Sequence, residues 1–408
     1  MTVEFVDPPS DPPAEEVLDV RRRAPRRHVV TIALVVAAVA VLIGAGLAVR
    51  THHDGPRHRP VAARTTSHPP PTTAVHAAPI TTHTSCAARM PPAWKTAIAA
   101  ATTSFGNRQV RVVGVTDDGT LIGTFYPRTA RPGRIALSVG SISLERSSTH
   151  TLGTFVMRGN SLSSDVEVEG TTVLITLQSG SQPTGPAEIV TIDTRSGAKR
   201  VAARLGGSGQ LFDGAYLFRG AVYWASHRSR PNPRSYVHEY DPATGADPIV
   251  YEGATGESRG LQNSAAGVWW AGSSVVPDRP AGLPGPVLGT ATDDTALASL
   301  VTDGTAYAWD ANGAIDWWSP GERTVRIRLR KAVLQEVAGP LVFYYSENSS
   351  TLHALDTRTG ARVSIPNGIP AFAAHGVVYL ENDPHMITEN TQFTVTRLDT
   401  SALAPLSC

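Results

Sequence analysis

A turn motif that recurs along the chain constrains its fold more than any other feature of the sequence. In Leu352–Ile365, LHALDTRTGARVSI, apolar and polar residues alternate on both sides of a turn that contains Asp356 and Gly360. Aspartate hydrogen-bonds the backbone of a turn and glycine accepts a positive φ, so the segment predicts a β-hairpin. Related segments occur at Ser141–Phe155, Glu188–Ala202, Tyr236–Val250, Ile315–Ile327 and Val395–Leu406. Asp356 and Gly360 are therefore better explained by turn formation than by ligand binding.

A second unit precedes most of these hairpins and consists of a short apolar segment, a glycine and a strand rich in aromatic residues. The glycines are Gly170, Gly220, Gly267, Gly304, Gly339 and Gly376, at intervals of 50, 47, 37, 35 and 37 residues. The short segment, the aromatic strand and the hairpin make four antiparallel strands in about 40 residues, the size of one β-propeller blade.

The sequence therefore predicts an all-β fold, a β-propeller of about seven four-stranded blades in residues 86–408. The six glycines mark six blades, and a seventh fits around Gly133, with Arg134–Gly140 as its second strand. Six or eight blades are also compatible with the sequence, because Ser273–Ala298 contains no clean hairpin. We expect Gln109–Val115 to pair into the last blade, since joining both chain ends in one sheet removes open edges.

The hairpins at Leu352–Ile365 and Glu188–Ala202 resemble the repeat of PQQ-like, WD40-like and related bacterial propellers, in which an apolar strand ends in Leu-Asp-x-x-Thr-Gly. The resemblance covers residues 105–408 and implies the fold. It does not imply the quinone, because the quinone-dependent enzymes of that family have a tryptophan after the hairpin glycine. The stretches ARVSI and AKRVA that follow the glycines here contain none. We therefore expect no cofactor.

The start of the chain predicts a membrane anchor. Residues 1–28 are acidic at first and then rich in arginine, which predicts a disordered tail. Val29–Val49 contains no charge, and as a helix it spans about 30 Å, the thickness of a bilayer's hydrocarbon core. Five arginines lie just before this run, so the positive-inside rule places the tail in the cytoplasm and the remainder outside. A cleaved signal peptide is the alternative, although such apolar runs are usually shorter.

Residues 50–85 are rich in proline, threonine and histidine, which predicts an extended extracytoplasmic linker. The two cysteines of the chain, Cys86 and Cys408, lie at the end of this linker and at the last residue. Thiols outside the membrane oxidise, so we expect one disulfide that joins both ends of the folded domain. In Pro91–Ala101, two prolines precede a stripe that contains Trp94, which predicts a helix on the edge of the propeller.

The sequence contains no common catalytic, phosphate-binding or metal-binding motif, so we expect neither catalytic residues nor a bound metal. Asp117 and Asp118 precede a glycine and predict a turn, because calcium needs more oxygen ligands than this segment offers. The net charge of +1 argues against non-specific binding of nucleic acid.

Functional residues of propellers usually lie on loops at one rim of the central channel. Two variable loops carry charged residues and imidazoles that suit ligand binding. The candidate binding residues are His227, Arg228, Arg230, Arg234, Asp383 and His385. The alternative is that these loops are solvated and have no specific role.

These patterns predict a single-pass protein of the cell membrane whose extracytoplasmic propeller binds an envelope protein or glycan. It would act as a non-catalytic binding, scaffold or sensor module. The alternative is a cell-envelope hydrolase or lyase with catalytic residues on the channel rim. The histidines after the linker distinguish the two, since three or more that converge with carboxylates on one rim would indicate an enzyme.

Overall fold

The computed structural model describes residues 4–5, 80–125, 134–158, 162–179, 186–205, 210–228, 234–254, 261–265, 267–270, 273–277, 299–311, 313–329, 332–346, 351–366, 368–382 and 391–408. The chain divides into two compact units, and all described residues belong to the one that comprises Met1–Val17 and Ala77–Cys408. The predicted membrane helix, Val29–Val49, lies outside the described residues. Within the described ranges, no helix is long and apolar enough to cross a membrane.

The strands in the described ranges form seven sheets, and within each sheet the consecutive strands pair antiparallel. Short elements come first, namely β1 (Glu4–Phe5), β2 (Thr81–Thr84), β3 (Cys86–Ala87), helix α1 (Pro92–Ala100) and β4 (Thr102–Ser104). Sheet 1 contains β5 (Val110–Val115), β6 (Leu121–Phe125), β7 (Arg134–Ser143) and β8 (Ser148–Arg158). Sheet 2 contains β9 (Leu162–Glu169), β10 (Thr172–Ser179), β11 (Ala187–Asp193) and β12 (Lys199–Leu205). Sheet 3 contains β13 (Gln210–Phe218), β14 (Ala221–Arg228), β15 (Arg234–Tyr240) and β16 (Ile249–Ala254).

The remaining sheets follow the same order along the chain. Sheet 4 contains β17 (Leu261–Ser264), β18 (Gly267–Trp270) and β19 (Ser273–Pro277). Sheet 5 contains β20 (Val301–Thr302), β21 (Tyr307–Asp310), β22 (Ala314–Trp318) and β23 (Val325–Arg328). Sheet 6 contains β24 (Ala332–Ala338), β25 (Leu341–Ser346), β26 (Leu352–Asp356) and β27 (Ala361–Ile365). Sheet 7 contains β28 (Gly368–Ala374), β29 (Val377–Asn382) and β30 (Thr394–Asp399). The fold is all-β and propeller-like, as predicted, and the blade number of the whole chain stays a prediction.

A glycine shapes the turn between the first and second strands of each sheet. All six predicted glycines lie in or beside these turns with φ between +51° and +127°, a region that L side chains rarely adopt. In sheet 1 this role belongs to Gly119, with φ +82°. The expectation that Arg134–Gly140 forms a second strand is therefore wrong, because Arg134 begins β7, the third strand. Asp118 stabilises the Gly119 turn by accepting a hydrogen bond from the backbone N–H of Thr120 (3.1 Å), as predicted for the acidic pair.

The predicted hairpins join the third and fourth strands, and their turns share one geometry. In sheets 2, 3 and 6 the N–H of the turn glycine donates to the carbonyl of the turn aspartate at 2.8 Å. The prediction from Val395–Leu406 is wrong in its second half, because Thr400–Ala402 forms a 3₁₀ helix instead of a strand. Asp399 caps that helix by accepting a hydrogen bond from the N–H of Ser401. Asp399 therefore lies at the end of β30 and does not form a hairpin turn.

Apolar side chains pack between neighbouring sheets, so each core cluster belongs to two of them. Phe155 and Val173 join sheets 1 and 2, and further clusters join sheets 2 with 3, 3 with 4, 5 with 6 and 6 with 7. Tyr379 and Val112 join sheet 7 back to sheet 1. The first strands of most consecutive sheets also contact one another, including β28 with β5. Between sheets 4 and 5, the N–H of Ala265 donates to the carbonyl of Leu300 at 3.1 Å, so each sheet contacts the next one, as in a propeller.

The two ends of the domain meet in sheet 7, but not through the predicted strand. β4 pairs with β30, with Thr102 opposite Thr396 and Ser104 opposite Thr394, whereas Val110–Val115 begins sheet 1. The expectation that Gln109–Val115 closes the last sheet is therefore wrong, since the shorter and more polar β4 takes that position. The predicted disulfide between Cys86 and Cys408 is present, with their Cα atoms 6.0 Å apart.

Residues near the N-terminal end of the domain cover the outer edges of other sheets. β2, which lies in the predicted linker, pairs parallel to β23, and β3 pairs parallel to β27. β1 pairs antiparallel to β8. The predicted helix is confirmed as α1, and its Trp94 is buried in the core of sheets 6 and 7 and donates to the carbonyl of Ala404 at 2.9 Å.

Asp303 connects three consecutive sheets. One oxygen of this buried carboxylate accepts hydrogen bonds from the backbone N–H groups of Thr305 and Ala306 in its own turn, at 2.8 Å each. The other oxygen accepts from the N–H groups of Gly339 and Gly376, at 2.7 Å each. These glycines form the turns of sheets 6 and 7. Hydrogen bonds to a charged acceptor contribute about 1.5–3 kcal/mol each, so Asp303 is a main contact between these sheets.

We predict that Asp303→Asn lowers the free energy of unfolding by about 3 kcal/mol. Both carboxylate oxygens accept N–H donors, so either orientation of the amide places its NH₂ group against donors. Urea unfolding followed by far-UV circular dichroism measures the change. Asp241→Asn is the control, since Asp241 accepts only within its own exposed hairpin. An equal loss in both variants would show that Asp303 does not connect the sheets.

Candidate functional site

Carboxyl groups on the first strand of sheet 2 accept hydrogen bonds from backbone N–H groups of sheet 3. Glu169 accepts from the N–H groups of Arg219 and Gly220 at 2.8 and 3.0 Å. Glu167 accepts from the N–H of Leu217 at 2.7 Å, and burial raises the pKa of Glu167 well above its usual value. These acids of β9 therefore satisfy the free edge of β13 and are not available as ligands of a metal or substrate.

Sheet 7 contacts sheet 1 in the same way. Glu381 accepts from the N–H of Val112 at 2.6 Å and forms an ion pair with Arg111, Nε to Oε2, at 3.4 Å. Glu381 lies at the start of the second predicted binding loop, so the first acid of that loop has a structural role. The predicted binding residues Asp383 and His385 lie outside the described residues.

The other predicted loop contributes three described residues, and they lie at strand ends. His227 and Arg228 end β14 and Arg234 begins β15, while Arg230 lies outside the described residues. Successive side chains of a strand point to opposite faces, so His227 lies on one face of sheet 3 and Arg228 on the other. Arg228 and Arg234 are direct cross-strand partners on that second face. The structure therefore brings the two arginines together and separates them from His227.

The charges of this arginine pair are unequally compensated. Arg234 forms an ion pair with Glu252 of β16. Arg228 is exposed, and no carboxylate in the described ranges forms an ion pair with it. Like charges directly opposite each other in a sheet repel, and an anion beside Arg228 would relieve that repulsion. Among the described residues, the end of sheet 3 therefore has one positive charge without an ion-pair partner.

A small pocket lies beside Arg228. Its volume is ≈ 170 Å³, and Arg228, Tyr236, His238 and Ile249 line it. A water takes up about 30 Å³, so the pocket has room for about five waters, or for one small group of a larger ligand. Its donors are a guanidinium, a phenol and an imidazole, which together suit a carboxylate or another small anion.

The wall of this pocket is fixed by an aromatic stack. The rings of His238 and Trp224 lie 3.8 Å apart and 13° from parallel. Trp224 Nε1 donates to Asp247 at 3.0 Å, and burial lowers the pKa of His238, opposed by the nearby Asp247 carboxylate. Tyr344 and His353 stack in the same way in sheet 6, so the stack itself belongs to the repeated structure.

Two buried hydroxyls without a hydrogen-bond partner face the gap between sheets 2 and 3. Ser226 Oγ and Thr176 Oγ1 have no partner within the described part of the chain. Ser226 lies directly opposite Tyr236 and two residues before Arg228, on the pocket face of β14. Buried polar groups are nearly always hydrogen-bonded, so an unpaired hydroxyl next to the pocket indicates a place for a water or a polar ligand atom.

The opposite face of sheet 3 contains a carboxylate–imidazole pair. His227 Nδ1 lies 2.6 Å from Asp213 Oδ2. Asp213 is the additional residue of a β-bulge between Phe212 and Gly214, and bulges often redirect a side chain. Burial raises the pKa of Asp213, opposed by its contact with His227. Such a pair can orient an imidazole as a general base.

The described histidines do not converge. His150, His353 and His375 lie in sheets 1, 6 and 7, whereas His227 and His238 lie on opposite faces of sheet 3. Across the part of the chain that the structure describes, no three histidines, cysteines or acids form a group that could hold a metal. The arrangement that would have indicated an enzyme is therefore absent from these residues.

The sequence predicts Arg228 as a binding residue but does not indicate the residues that surround it. Tyr236 and His238 belong to one of the repeated hairpins, where they were assigned to structure. Asp213 and Ser226 belong to apolar strands and carried no motif. One weak sequence signal indicates His238. His238 and His353 take the same position in two hairpins, three residues before the turn aspartate.

No protein-family model matches the chain, and no curated protein matches it. Solved structures that are similar include an oligogalacturonate lyase in complex with manganese, at 9% identity and a TM-score of 0.27, with 70% of this chain and 64% of the lyase covered. They also include the oligogalacturonate lyase of Vibrio parahaemolyticus, at 10% identity and 0.38, with 73% and 98% covered. Saccharomyces cerevisiae Sqt1 is similar at 9% identity and 0.37, with 72% and 98% covered. The chain spans less than two thirds of the first lyase, and overlaps this low do not indicate a shared activity.

We predict that Glu336→Gln stabilises the protein at alkaline pH. Burial and the charge of Asp303 raise the pKa of Glu336 to about 8. The folded state then keeps a proton that the unfolded state loses above the ordinary glutamate pKa of 4.5, so stability falls as the pH rises from there to about 8. Above about pH 8 the variant should be more stable by up to about 5 kcal/mol, and near pH 4.5 the difference should vanish.

Thermal and urea unfolding across this pH range measure the effect. Glu322→Gln is the control, since Glu322 is exposed and its replacement should leave the pH profile unchanged. A parallel profile for Glu336→Gln and the unaltered chain would show that Glu336 is ionised in the folded state.

Proposed function

We propose that this chain is a membrane-anchored, extracytoplasmic propeller with seven blades that binds an anionic group of an envelope glycan or protein without catalysis. The observation that carries the proposal is Arg228, an exposed arginine opposite another arginine, beside a pocket and without a carboxylate partner in the described ranges. Arg228 would bind a carboxylate, while Tyr236 and Ser226 supply hydroxyls. The side chains of His238 and Ile249 would form the walls of the pocket.

The inner carboxylates support a role in binding instead of catalysis. Glu167, Glu169 and Asp303 accept hydrogen bonds from backbone N–H groups of a neighbouring sheet, which fixes the positions of these carboxyl groups. A general acid or base must exchange protons with a substrate, and these groups are already engaged with the fold.

A hydrolase or lyase is the second candidate, and the Asp213–His227 pair favours it. An imidazole held by a carboxylate can remove a proton from a sugar carbon or from a water molecule. Arg228 cannot assist His227 directly, because the two side chains lie on opposite faces of sheet 3. The other groups of a catalytic site at His227 would therefore have to lie on the face of sheet 3 that is directed toward sheet 4.

We predict that Arg228→Gln weakens binding of glucuronate at least tenfold, since a charge-assisted hydrogen bond of about 1.5–3 kcal/mol is lost. Calorimetric titration of the full chain measures this, with glucose as the uncharged comparison. Arg328→Gln, which removes an exposed arginine from sheet 5, is the control and should bind glucuronate as before.

Equal affinity in all three proteins, or no binding of glucuronate, would overturn the proposed anion site. Turnover of an envelope polysaccharide that is lost in Asp213→Asn but retained in Arg228→Gln would favour the enzyme instead.

The proposed membrane topology conflicts with one contact of the structure and can be tested on it. Val29–Val49 is proposed to cross the membrane with residues 1–28 in the cytoplasm, yet β1 pairs with Phe155 and Val156 of β8. Both statements cannot hold in one molecule, because β8 belongs to the proposed extracytoplasmic domain. The anchored form requires that Glu4–Phe5 leaves this edge.

We predict that a cysteine at Thr2→Cys is protected from a membrane-impermeant maleimide in intact cells and reacts after lysis. Cys86 and Cys408 are joined and should not react. A cysteine at the exposed position Ala402→Cys should react in intact cells. Labelling of both positions in intact cells would place them on one side and refute the anchor.

A further inference from the structure

The outermost strand of sheet 3 presents apolar side chains to solvent. Ile249, Val250 and Tyr251 are consecutive in β16 and are 52%, 41% and 36% exposed. In the described ranges, the only other large hydrophobic residue with comparable exposure is Ile80, at 39%. An outer strand with unpaired backbone groups and apolar side chains is a template for pairing with another chain.

Most other outer edges are already covered by this chain. β2, β3 and β4 add to the outer strands of sheets 5, 6 and 7, with β2 and β3 in parallel orientation, and β1 adds to sheet 1 except in the proposed anchored form. The fold therefore accepts short extended segments at this position repeatedly. β16 has no added strand among the described residues.

The outer strand of sheet 2 is also uncovered, but its composition protects it. β12 contains Lys199, Arg200 and Arg204, and charged side chains on an edge strand oppose pairing. β16 contains one charged residue, Glu252, which Arg234 neutralises. Of these two uncovered edges, β16 alone lacks the usual protection.

Two arginines lie beside β16 and its hairpin, where Asp241 faces the first of them, Arg200, and Asp247 lies beside His238. Arg200 of β12 donates to the carbonyl of Ala243, in the hairpin that leads into β16, at 2.8 Å, so the basic strand of sheet 2 borders this edge. On the same side of sheet 3, Arg228 is the uncompensated cation described above. An incoming segment with acidic side chains is favoured over a neutral or basic one.

We propose that β16 is the docking strand for an extended peptide segment of a partner protein, rich in β-branched and acidic residues, which adds to sheet 3 as a fifth strand. The bulge between β15 and β16 lies at Val250, and Tyr251–Ala254 pairs regularly with Arg234–Val237. The peptide adds along that regular part, where main-chain hydrogen bonds give affinity and alternate side chains give specificity. This docking does not depend on a ligand in the Arg228 pocket.

The test is selection of peptides from a display library of random segments of about eight residues, with the full-length chain in mild detergent as the target. Enriched peptides should alternate β-branched with acidic residues. They should bind the double variant Val250→Ser/Tyr251→Ser at least tenfold more weakly, and binding should weaken as salt is raised above about 0.1 M.

Ile80→Ser is the matched control, because it removes an equally exposed apolar side chain elsewhere and should leave peptide binding unchanged. Thermal unfolding of the double variant verifies its fold, and titration with glucuronate shows separately whether the Arg228 pocket works. No enrichment, enrichment of peptides without acidic residues, or equal binding by the double variant would overturn the proposal. Chemical cross-linking that shows dimers lost in the double variant would assign β16 to a second copy of this chain and overturn it as well.

Discussion

The first strand of each sheet has one edge without a strand partner, and the structure depends on how the N–H groups of that edge are satisfied. A backbone donor that lacks an acceptor away from water costs as much as a lost hydrogen bond or more. Carboxylates of neighbouring sheets accept from some of these groups, as when Glu167 accepts from Leu217 of β13 and Glu381 accepts from Val112 of β5. Asp303 extends the same solution over sheets 5, 6 and 7.

This use of carboxylates has a consequence for function. An acid that is fixed by backbone donors is held in one geometry, and several such acids along the centre of the cycle leave little freedom for chemistry there. Burial disfavours the charged form of an acid, which raises the pKa of Glu167 and, together with the nearby charge of Asp303, the pKa of Glu336. The functional candidates accordingly lie farther out in sheet 3, at Arg228 and at the strand β16.

Local chemistry made much of the fold predictable from sequence. Gly339 and Gly376 predict their turns because glycine adopts a positive φ more readily than other residues do, and Asp193 and Asp241 predict hairpins because their side chains accept hydrogen bonds from the turn backbone. Contacts between distant residues gave no such signal. β4 contains three small polar residues without apolar alternation, so its pairing with β30 depends on a position that the rest of the cycle defines. The bond between Asp303 and Gly376 spans 73 residues and equally leaves no local pattern.

The same turn motif also has different roles in different sheets. Asp241 accepts hydrogen bonds within its own hairpin, and Asp193 accepts within its hairpin and from Thr171 Oγ1 in the neighbouring turn of the same sheet, at 3.2 Å. Asp356 has the same place in sheet 6, yet it is fully buried, forms a bidentate pair with Arg358 at 2.9 and 2.8 Å, and accepts from the N–H of Leu406 at 2.9 Å. Because Leu406 lies two residues before the disulfide, this turn also holds the end of the chain against sheet 6. The repeated hairpin motif explains why Asp356 lies in a turn. Its carboxylate is buried because the C-terminal segment packs against it.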